Sequence, residues 1–276
     1  RKINICLPFW WINGTIIKRK ELIFLTRPRF SPGRAVRSNY IIVSEKLPEG
    51  FSGFKIAHIS DPHSVPAEGV FEIIEVAMPD ICVITGDLLN DDEKSTEKMD
   101  ELIEKLVKIC PVYFISGNHD LWRTDHREIF ARYEELGAKF LDRKTEILHK
   151  NGEEIALFGI PAFDRIAVQH RFYDPFSKVP KDIKQNVEDA FSMMPEYSGY
   201  KILLFHRANL FELIKDSGFD LILSGHMHGG QVRIPGLGGV LAPSSALLSG
   251  KSMLFPKYTA GVVTDGGATM VINRGI

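Results

Sequence analysis

Short, largely apolar runs recur along this chain, and each ends in a polar turn that carries an aspartate, an asparagine or a histidine. Residues 54–59 lead into Ser60-Asp61-Pro62-His63, and residues 81–84 into Gly86-Asp87 and then Leu88-Leu89-Asn90-Asp91. Residues 112–115 lead into Gly117-Asn118-His119-Asp120, and residues 202–205 into His206-Arg207. Leu221-Ile222-Leu223 is followed by Gly225-His226-Met227-His228-Gly229-Gly230. Runs this short and apolar read as buried strands. Between them, residues 70–77, 94–109, 127–136, 179–194 and 210–217 read as helices. The clearest is 94–109, where Met99, Leu102, Ile103, Leu106 and Val107 recur at helical spacing behind an acidic start. Segments 146–149 and 154–160, either side of Asn151-Gly152, read as a β-hairpin. Residues 40–43 read as a short strand and 27–38 as a loop.

Alternating strands and helices indicate an α/β body. The strands fall into two sets, 54–116 and 154–272, so the expected architecture is a two-sheet β-sandwich flanked by helices. With 276 residues, 44% of them hydrophobic and 25% charged, the chain can bury a substantial core. Residues 46–276 are expected to form one domain behind an N-terminal arm, 1–45. Cys6, Cys82 and Cys110 show no CxxC spacing and no disulfide framework; Cys82 and Cys110 read as core, in a reducing compartment.

The strand-end turns carry the chemistry. In open α/β sheets ligands bind beyond the carboxyl ends of strands, so five such turns can converge on one site. Their donors are carboxylate, amide oxygen and imidazole, without thiolate, which suits Mn²⁺, Fe or Zn²⁺ better than a soft-metal site. They are too many for one tetrahedral ion. Two ions sharing a carboxylate, roughly 3.5–4 Å apart, are the arrangement used for in-line displacement at phosphorus.

Taken in order, Asp61-x-His63, Gly86-Asp87, Gly117-Asn118-His119-Asp120, His206 and Gly225-His226-x-His228 resemble the motifs of the calcineurin-like metallophosphoesterase superfamily. The run from Gly225 to Gly236 looks like its branch of membrane-linked bacterial phosphodiesterases. The resemblance implies the four-layer αββα fold and a metal-dependent phosphoric ester hydrolase with two divalent cations, Mn foremost, Fe or Zn otherwise. By motif, Asp61, His63 and His228 would hold one ion and Asn118, His206 and His226 the other, with Asp87 bridging. A metal-bridging hydroxide would attack phosphorus in line. His119 would protonate the leaving oxygen, and Asp120 would orient its ring. Arg207 and Arg274 are candidates for binding substrate phosphate. Pro62 and Met227 depart from the family's commoner spacer residues without touching a ligand position. Asn-His-Asp, in place of Asn-Arg-Asp, weighs against one class of lipid A pyrophosphatases.

The net charge of −1 hides an asymmetry. Residues 1–40 hold nine Lys and Arg against the single acid Glu21, leaving 25 basic and 34 acidic residues in the rest. A basic arm on an acidic body suggests an anionic partner, with a membrane surface or nucleic acid the usual choices. The cluster Leu7-Pro8-Phe9-Trp10-Trp11-Ile12 beside Lys18-Arg19-Lys20 favours the membrane over nucleic acid. It is too short and broken to span a bilayer, which takes about 20 apolar residues. The expectation is therefore a membrane-associated phosphodiesterase or pyrophosphatase on the cytoplasmic face, held peripherally or by an anchor ahead of Arg1, acting on a lipid-linked phosphoester. A further strand is expected beyond Ile276. The alternatives are a soluble nucleotide phosphodiesterase with a structural arm, or a metal-containing scaffold without catalysis.

Overall fold

Side-chain alternation along the strands sets the layers. In β5 (Ile81–Thr85), Ile81 and Val83 enter one apolar cluster while Cys82 and Ile84 enter another. A strand covered on both faces needs no polar alternation, which is why such runs are apolar throughout. The protein is described from a computed structural model over residues 2–7, 24–26, 34–162, 181–230, 232–234, 238–241 and 256–276.

The first sheet comprises β1 (Lys2–Leu7), β2 (Phe24–Thr26), β3 (Val36–Val43), β4 (Phe54–Ile59), β5, β6 (Val112–Ile115) and β7 (Lys139–Phe140), in the order β1-β3-β2-β4-β5-β6-β7. From β4 to β7 neighbouring strands run parallel. The second sheet is built from β8 (Thr145–Lys150), β9 (Glu153–Ile160), β10 (Lys201–Arg207) and β11 (Leu221–Gly225), and a separate small hairpin pairs β12 (Val232–Ile234) with β13 (Gly238–Leu241). The strands β14 (Gly261–Asp265) and β15 (Ala268–Ile272) complete the second sheet, in the order β14-β15-β11-β10-β9-β8. The expected hairpin at Asn151-Gly152 is the antiparallel pair β8–β9.

Between the sheets, Ile56, Ile81, Val83 and Ile115 of the first meet Leu157, Ile202, Leu204 and Leu223 of the second. Outside the first sheet, α1 (Val70–Ala77), α2 (Glu97–Leu106) and α4 (His126–Glu135) bury Ile74, Leu102, Ile103, Ile129 and Tyr133 against Ile84 and Phe114. A five-residue helix, α3 (Asn118–Trp122), precedes α4. Outside the second sheet, α5 (Lys181–Ser192) and α6 (Phe211–Ile214) pack Val187, Ala190, Phe211 and Ile214 on Phe205 and Ile222. The two-sheet sandwich flanked by helices is thus the observed fold, and Cys82 and Cys110 are buried in it.

Three differences from the local reading have physical causes. The segment read as a loop to residue 38 enters β3 at Val36, where polar Arg37, Ser38 and Asn39 mask a strand that β1 and β2 pair on both sides. Three strands from residues 1–45 therefore belong to the first sheet, while the aromatic and basic cluster at 8–23 lies outside the described residues. The last expected helix, 210–217, is a single helical turn, α6, after a 3₁₀ turn at Ala208–Leu210.

Asp142 stitches the sheets together where the chain crosses from one to the other. It forms a bridge with Gly159 of β9 and accepts hydrogen bonds from Ser116 N–H (3.0 Å) and Ser116 Oγ. Burial lifts its carboxyl to about 6, against the two Ser116 hydrogen bonds. The unfolded carboxyl titrates near 3.9, so the native state holds the extra proton between about pH 4 and 6. Its stabilising contribution is complete below about pH 4 and lost as the pH rises through 6. In urea denaturation, wild type should lose up to roughly 3 kcal/mol across that interval relative to Asp142→Asn. Parallel curves for the two proteins would remove this assignment.

Candidate metal centre

Five parallel strands, β4, β5 and β6 from one sheet and β10 and β11 from the other, end at the same edge of the sandwich. The backbones close on one another there. His63 N–H donates to Asp87 O (3.0 Å), Asp61 N–H to Gly86 O (3.0 Å), and His226 N–H to both Asp61 carboxylate oxygens (3.1 and 3.0 Å). The glycines of the motifs are what permits this. A Cβ on Gly86 would stand 2.7 Å from the Gly117 backbone and from His206 Nδ1, and one on Gly117 would overlap the Asp87 carboxylate. One on Gly225 would fall on Ser60 Oγ and Asp61.

Backbone strain is concentrated at the same place. Of the nine non-glycine residues with positive φ among those described, Asp61, His63, Asp87, His226 and His228 are five, at 46–71°. Such conformations cost free energy in L-residues and persist where the surroundings enforce them, often at functional sites.

The side chains meet in three overlapping groups whose donor atoms lie within 4.8 Å of one another: Asp61, His63 and His228; His63, Asp87 and His119; Asp87, His206 and His226. His63 Nε2 faces His228 Nε2 at 3.3 Å, and His226 Nδ1 faces His206 Nε2 at 3.2 Å. His206 Nδ1 donates to Thr85 O (2.7 Å), which turns its Nε2 toward Asn118 Oδ1 (3.2 Å) and Asp87 Oδ2 (3.3 Å). A backbone carbonyl that fixes the tautomer in this way is the usual support of a metal-bound imidazole. Opposed ring nitrogens, buried carboxylates and a glycine cradle fit divalent cations well: a cation between them converts repelling lone pairs into ligands.

The electrostatics agree. Burial works to raise the Asp87 carboxyl, but the charge and hydrogen bond of His206, with His63 next, hold it well below its ordinary value. Burial likewise works to lower His206, yet Asp87 and then Asp61 lift it to about 9. His226 is driven well below its ordinary value by burial first and then by the Arg207 guanidinium. A site that keeps carboxylates anionic, gathers imidazoles around them and holds His226 neutral is prepared for cations.

All seven expected ligands, together with His119, are thus brought to one place. The other three expected residues, Asp120, Arg207 and Arg274, stand outside these groups. Asp120 does not touch the His119 ring. Its buried carboxylate accepts backbone N–H bonds from Gly117 (2.8 Å), Leu88 (3.2 Å) and Leu89 (2.8 Å), and burial followed by the Asp87 charge raises it to about 7. The ring is held instead by Asp91, whose Oδ1 lies 2.6 Å from His119 Nδ1. The reason is geometric: Asp120 sits in the first turn of α3 and serves the backbone amides there, whereas Asp91 reaches the ring from the neighbouring loop. Arg207 is 1% exposed, with Nη1 3.5 Å from His226 Nε2, so it lies behind the imidazole. Arg274 is exposed, one residue before Gly275, whose Cβ position is 3.2 Å from His228 Nδ1 and 3.1 Å from Asp61 Cβ. That approach was not readable from the sequence, because no local pattern ties Gly275 to Asp61, 214 positions earlier.

The sequence profile described as "Calcineurin-like phosphoesterase" matches residues 54–230. Among curated proteins, the chain is 27% identical to the uncharacterized metallophosphoesterase YkoQ of Bacillus subtilis, over 72% of this chain and 70% of that protein. It is 25% identical to the uncharacterized metallophosphoesterase YkuE of the same organism, over 87% and 77%. Phosphodiesterase YaeI of Escherichia coli is 24% identical over 81% and 75%.

Proposed function

The chain belongs to the calcineurin-like phosphoesterase family, and from that premise we propose that it hydrolyses phosphodiester or pyrophosphate bonds, with a lipid-linked phosphoester as substrate. As a member it is a metal-dependent phosphoric ester hydrolase with a divalent metal centre. The observation that carries the finer reading is the sharing of Asp87 between two donor groups, one with His63 and His119 and one with His206 and His226. A shared carboxylate is what a pair of ions needs. Asp61, His63 and His228 would hold one cation, and Asn118, His206 and His226 the other, with Asp87 common to both; Mn²⁺ is the proposed metal. When bound, two such cations supply Lewis-acid charge for in-line displacement at phosphorus.

The chain's own residues do the rest. Asp120 ties the backbones of the Gly117 and Leu88-Leu89 turns together and so fixes Asp87 and Asn118 relative to each other. His119 N–H donates to Asp87 Oδ1 (2.8 Å), aiming the other oxygen at His206 and His63. The His119 side chain is 28% exposed, which gives it access to a leaving group. With Nδ1–H given to the Asp91 side chain, Nε2 is the ring atom left to deliver a proton.

Metal-stripped protein should regain hydrolysis of an aryl phosphodiester when Mn²⁺ is added. Inactivity with every divalent ion would sink the catalytic reading. His119→Ala should lower turnover by roughly 10²-fold or more for poor leaving groups, the usual contribution of a general acid, with metal content unchanged. An equal loss on good and poor leaving groups would exclude proton delivery by this ring.

The reading as a diesterase is supported by the E. coli relative, which carries the name phosphodiesterase. The membrane part of the proposal, peripheral or anchored association at the cytoplasmic face, rests on the basic, Trp-bearing segment at 8–23. No helix among the described residues is long and apolar enough to cross a membrane. The whole chain should float with anionic liposomes, and a quadruple replacement of Trp10, Trp11, Lys18 and Arg19 by Ser should not. Equal flotation of both would withdraw the membrane claim.

A further inference from the structure

The loop after β5 is held with unusual completeness, and Asp91 stands in the middle of it. Leu88 and Leu89 N–H groups donate to Asp120, and Asn90 N–H donates to Ser64 Oγ (2.8 Å). Beyond Asp91 the fixing is done by one side chain. Arg123, 7% exposed, directs Nη1 to the carbonyls of Asn90 (2.9 Å) and Glu93, and its Nε and Nη2 form a fork with the Asp125 carboxylate at 2.8 Å each. The guanidinium therefore joins the loop on both sides of Asp91 to the turn that follows α3, the helix that carries His119.

This matters because the Asp91–His119 contact is only partly shielded, with side chains 41% and 28% exposed. An exposed pair is ordinarily weak, since water competes for both partners and ordering them costs entropy. A loop already immobilised removes most of that ordering cost. From this geometry we infer that Arg123 is a positioning residue at the head of a relay: it sets the loop on both sides of Asp91, and through the Asp91 carboxylate it sets the His119 ring for proton delivery. In the step it serves, the P–O bond to the leaving group breaks with its electron pair on oxygen, which takes the proton from His119 Nε2. A water oxygen forms the new P–O bond and its surplus proton passes to solvent, from which His119 is recharged. The relay rests on the proposed role of His119 and goes beyond it in naming Arg123 as the residue that holds the orienting carboxylate in place.

Arg is specific to this task. Lys offers a single point of charge and cannot fork on Asp125 while also meeting two carbonyls. Trp122, whose ring centroid is 4.5 Å from that of His119, closes another side of the imidazole but does not tie it to the loop.

The test uses the full chain with Mn²⁺ at one fixed pH and two aryl phosphodiesters, one with a good and one with a poor leaving group. The readout is the ratio of kcat on the poor to kcat on the good substrate. Asp91→Ala should lower that ratio roughly 10–100-fold, the usual effect of losing a group that orients a working imidazole. Asp91→Asn, whose amide oxygen still accepts from Nδ1–H, should restore much of it. Arg123→Met should lower the ratio in the same direction and add nothing further on the Asp91→Ala background, because both act through one contact. Metal content should match wild type in all of them. If Arg123→Met does not fold, Asp125→Asn, which weakens the fork that anchors Arg123, takes its place and should lower the ratio in the same direction. A uniform loss on both substrates, or an unchanged ratio, overturns the relay. His119→Ala separates the causes. If it leaves the ratio unchanged, the general-acid reading has failed; if it lowers the ratio while Asp91→Ala does not, only the relay has failed.

Discussion

Asp87→Asn should reduce bound metal from two ions to one or fewer and lower turnover by about 10³-fold or more, with the fold intact. The magnitude follows from the several kcal/mol that metal charge contributes to a displacement at phosphorus, at about 1.4 kcal/mol per tenfold. The substitution is nearly isosteric and buried, so what changes is charge and lone pairs, not packing. Asp87 Oδ1 already accepts from His119 N–H (2.8 Å), and the amide oxygen can take over that bond. The amide nitrogen must then point at His206 Nε2 and His63 Nε2, where Asp87 Oδ2 now stands at 3.3 and 3.9 Å. A donor without a lone pair cannot bridge, and the site loses the charge that holds His206 at about 9. Metal analysis and turnover on the same preparation decide the matter. Two retained ions with full activity would show that the bridge lies elsewhere.

Gly225→Ala should cost about 3 kcal/mol or more of stability and weaken metal binding with it, the upper range for forcing a methyl group into a packed interior. Gly225 has no positive φ, so the cost arises from proximity alone. Its Cβ would fall on Ser60 Oγ and the Asp61 carboxylate. Neither can withdraw easily: Ser60 Oγ donates to Asp61, Asp61 accepts His226 N–H, and Ile276 N–H donates to Ser60 O (3.1 Å). Relief would require the two sheets to part at the site. Gly152→Ala is the control, since Gly152 has φ +79° but nothing within 4 Å of its Cβ position. That change should cost only the backbone strain, about 1–2 kcal/mol. Denaturant unfolding of both variants separates proximity from conformation. A cost at Gly225 no greater than at Gly152 would mean that the approach of the sheets is not rigid.

Much of the fold and most of the site were legible because their signals are local. Ile81–Ile84 announces a strand buried on both faces, and Gly86-Asp87 announces the turn that ends it, within seven residues of sequence. The same holds for Gly225-His226-Met227-His228. What escaped was set by pairing over distance. Polar residues 37 and 38 read as loop until β1 and β2 supply their hydrogen bonds. Asp120 stood beside His119 in the chain and was expected to orient it, yet α3 turns Asp120 toward backbone amides and leaves the ring to Asp91, 28 residues earlier. Arg207 follows a ligand directly, but β10 carries it behind His226 into the interior.

The sequence by itself determined the donor types, their places at strand ends, the glycines beside them and the family to which the chain belongs, since each is encoded in a few consecutive residues. Tertiary structure alone decided which donors share an oxygen, which carboxylate holds the His119 ring, and why Gly225 has no room for a side chain. Those outcomes depend on the register of two sheets whose contacting residues, such as Asp61 and His226, lie 165 positions apart. No local pattern of hydrophobicity or turn chemistry carries that register; it comes from packing the two sheets against one another.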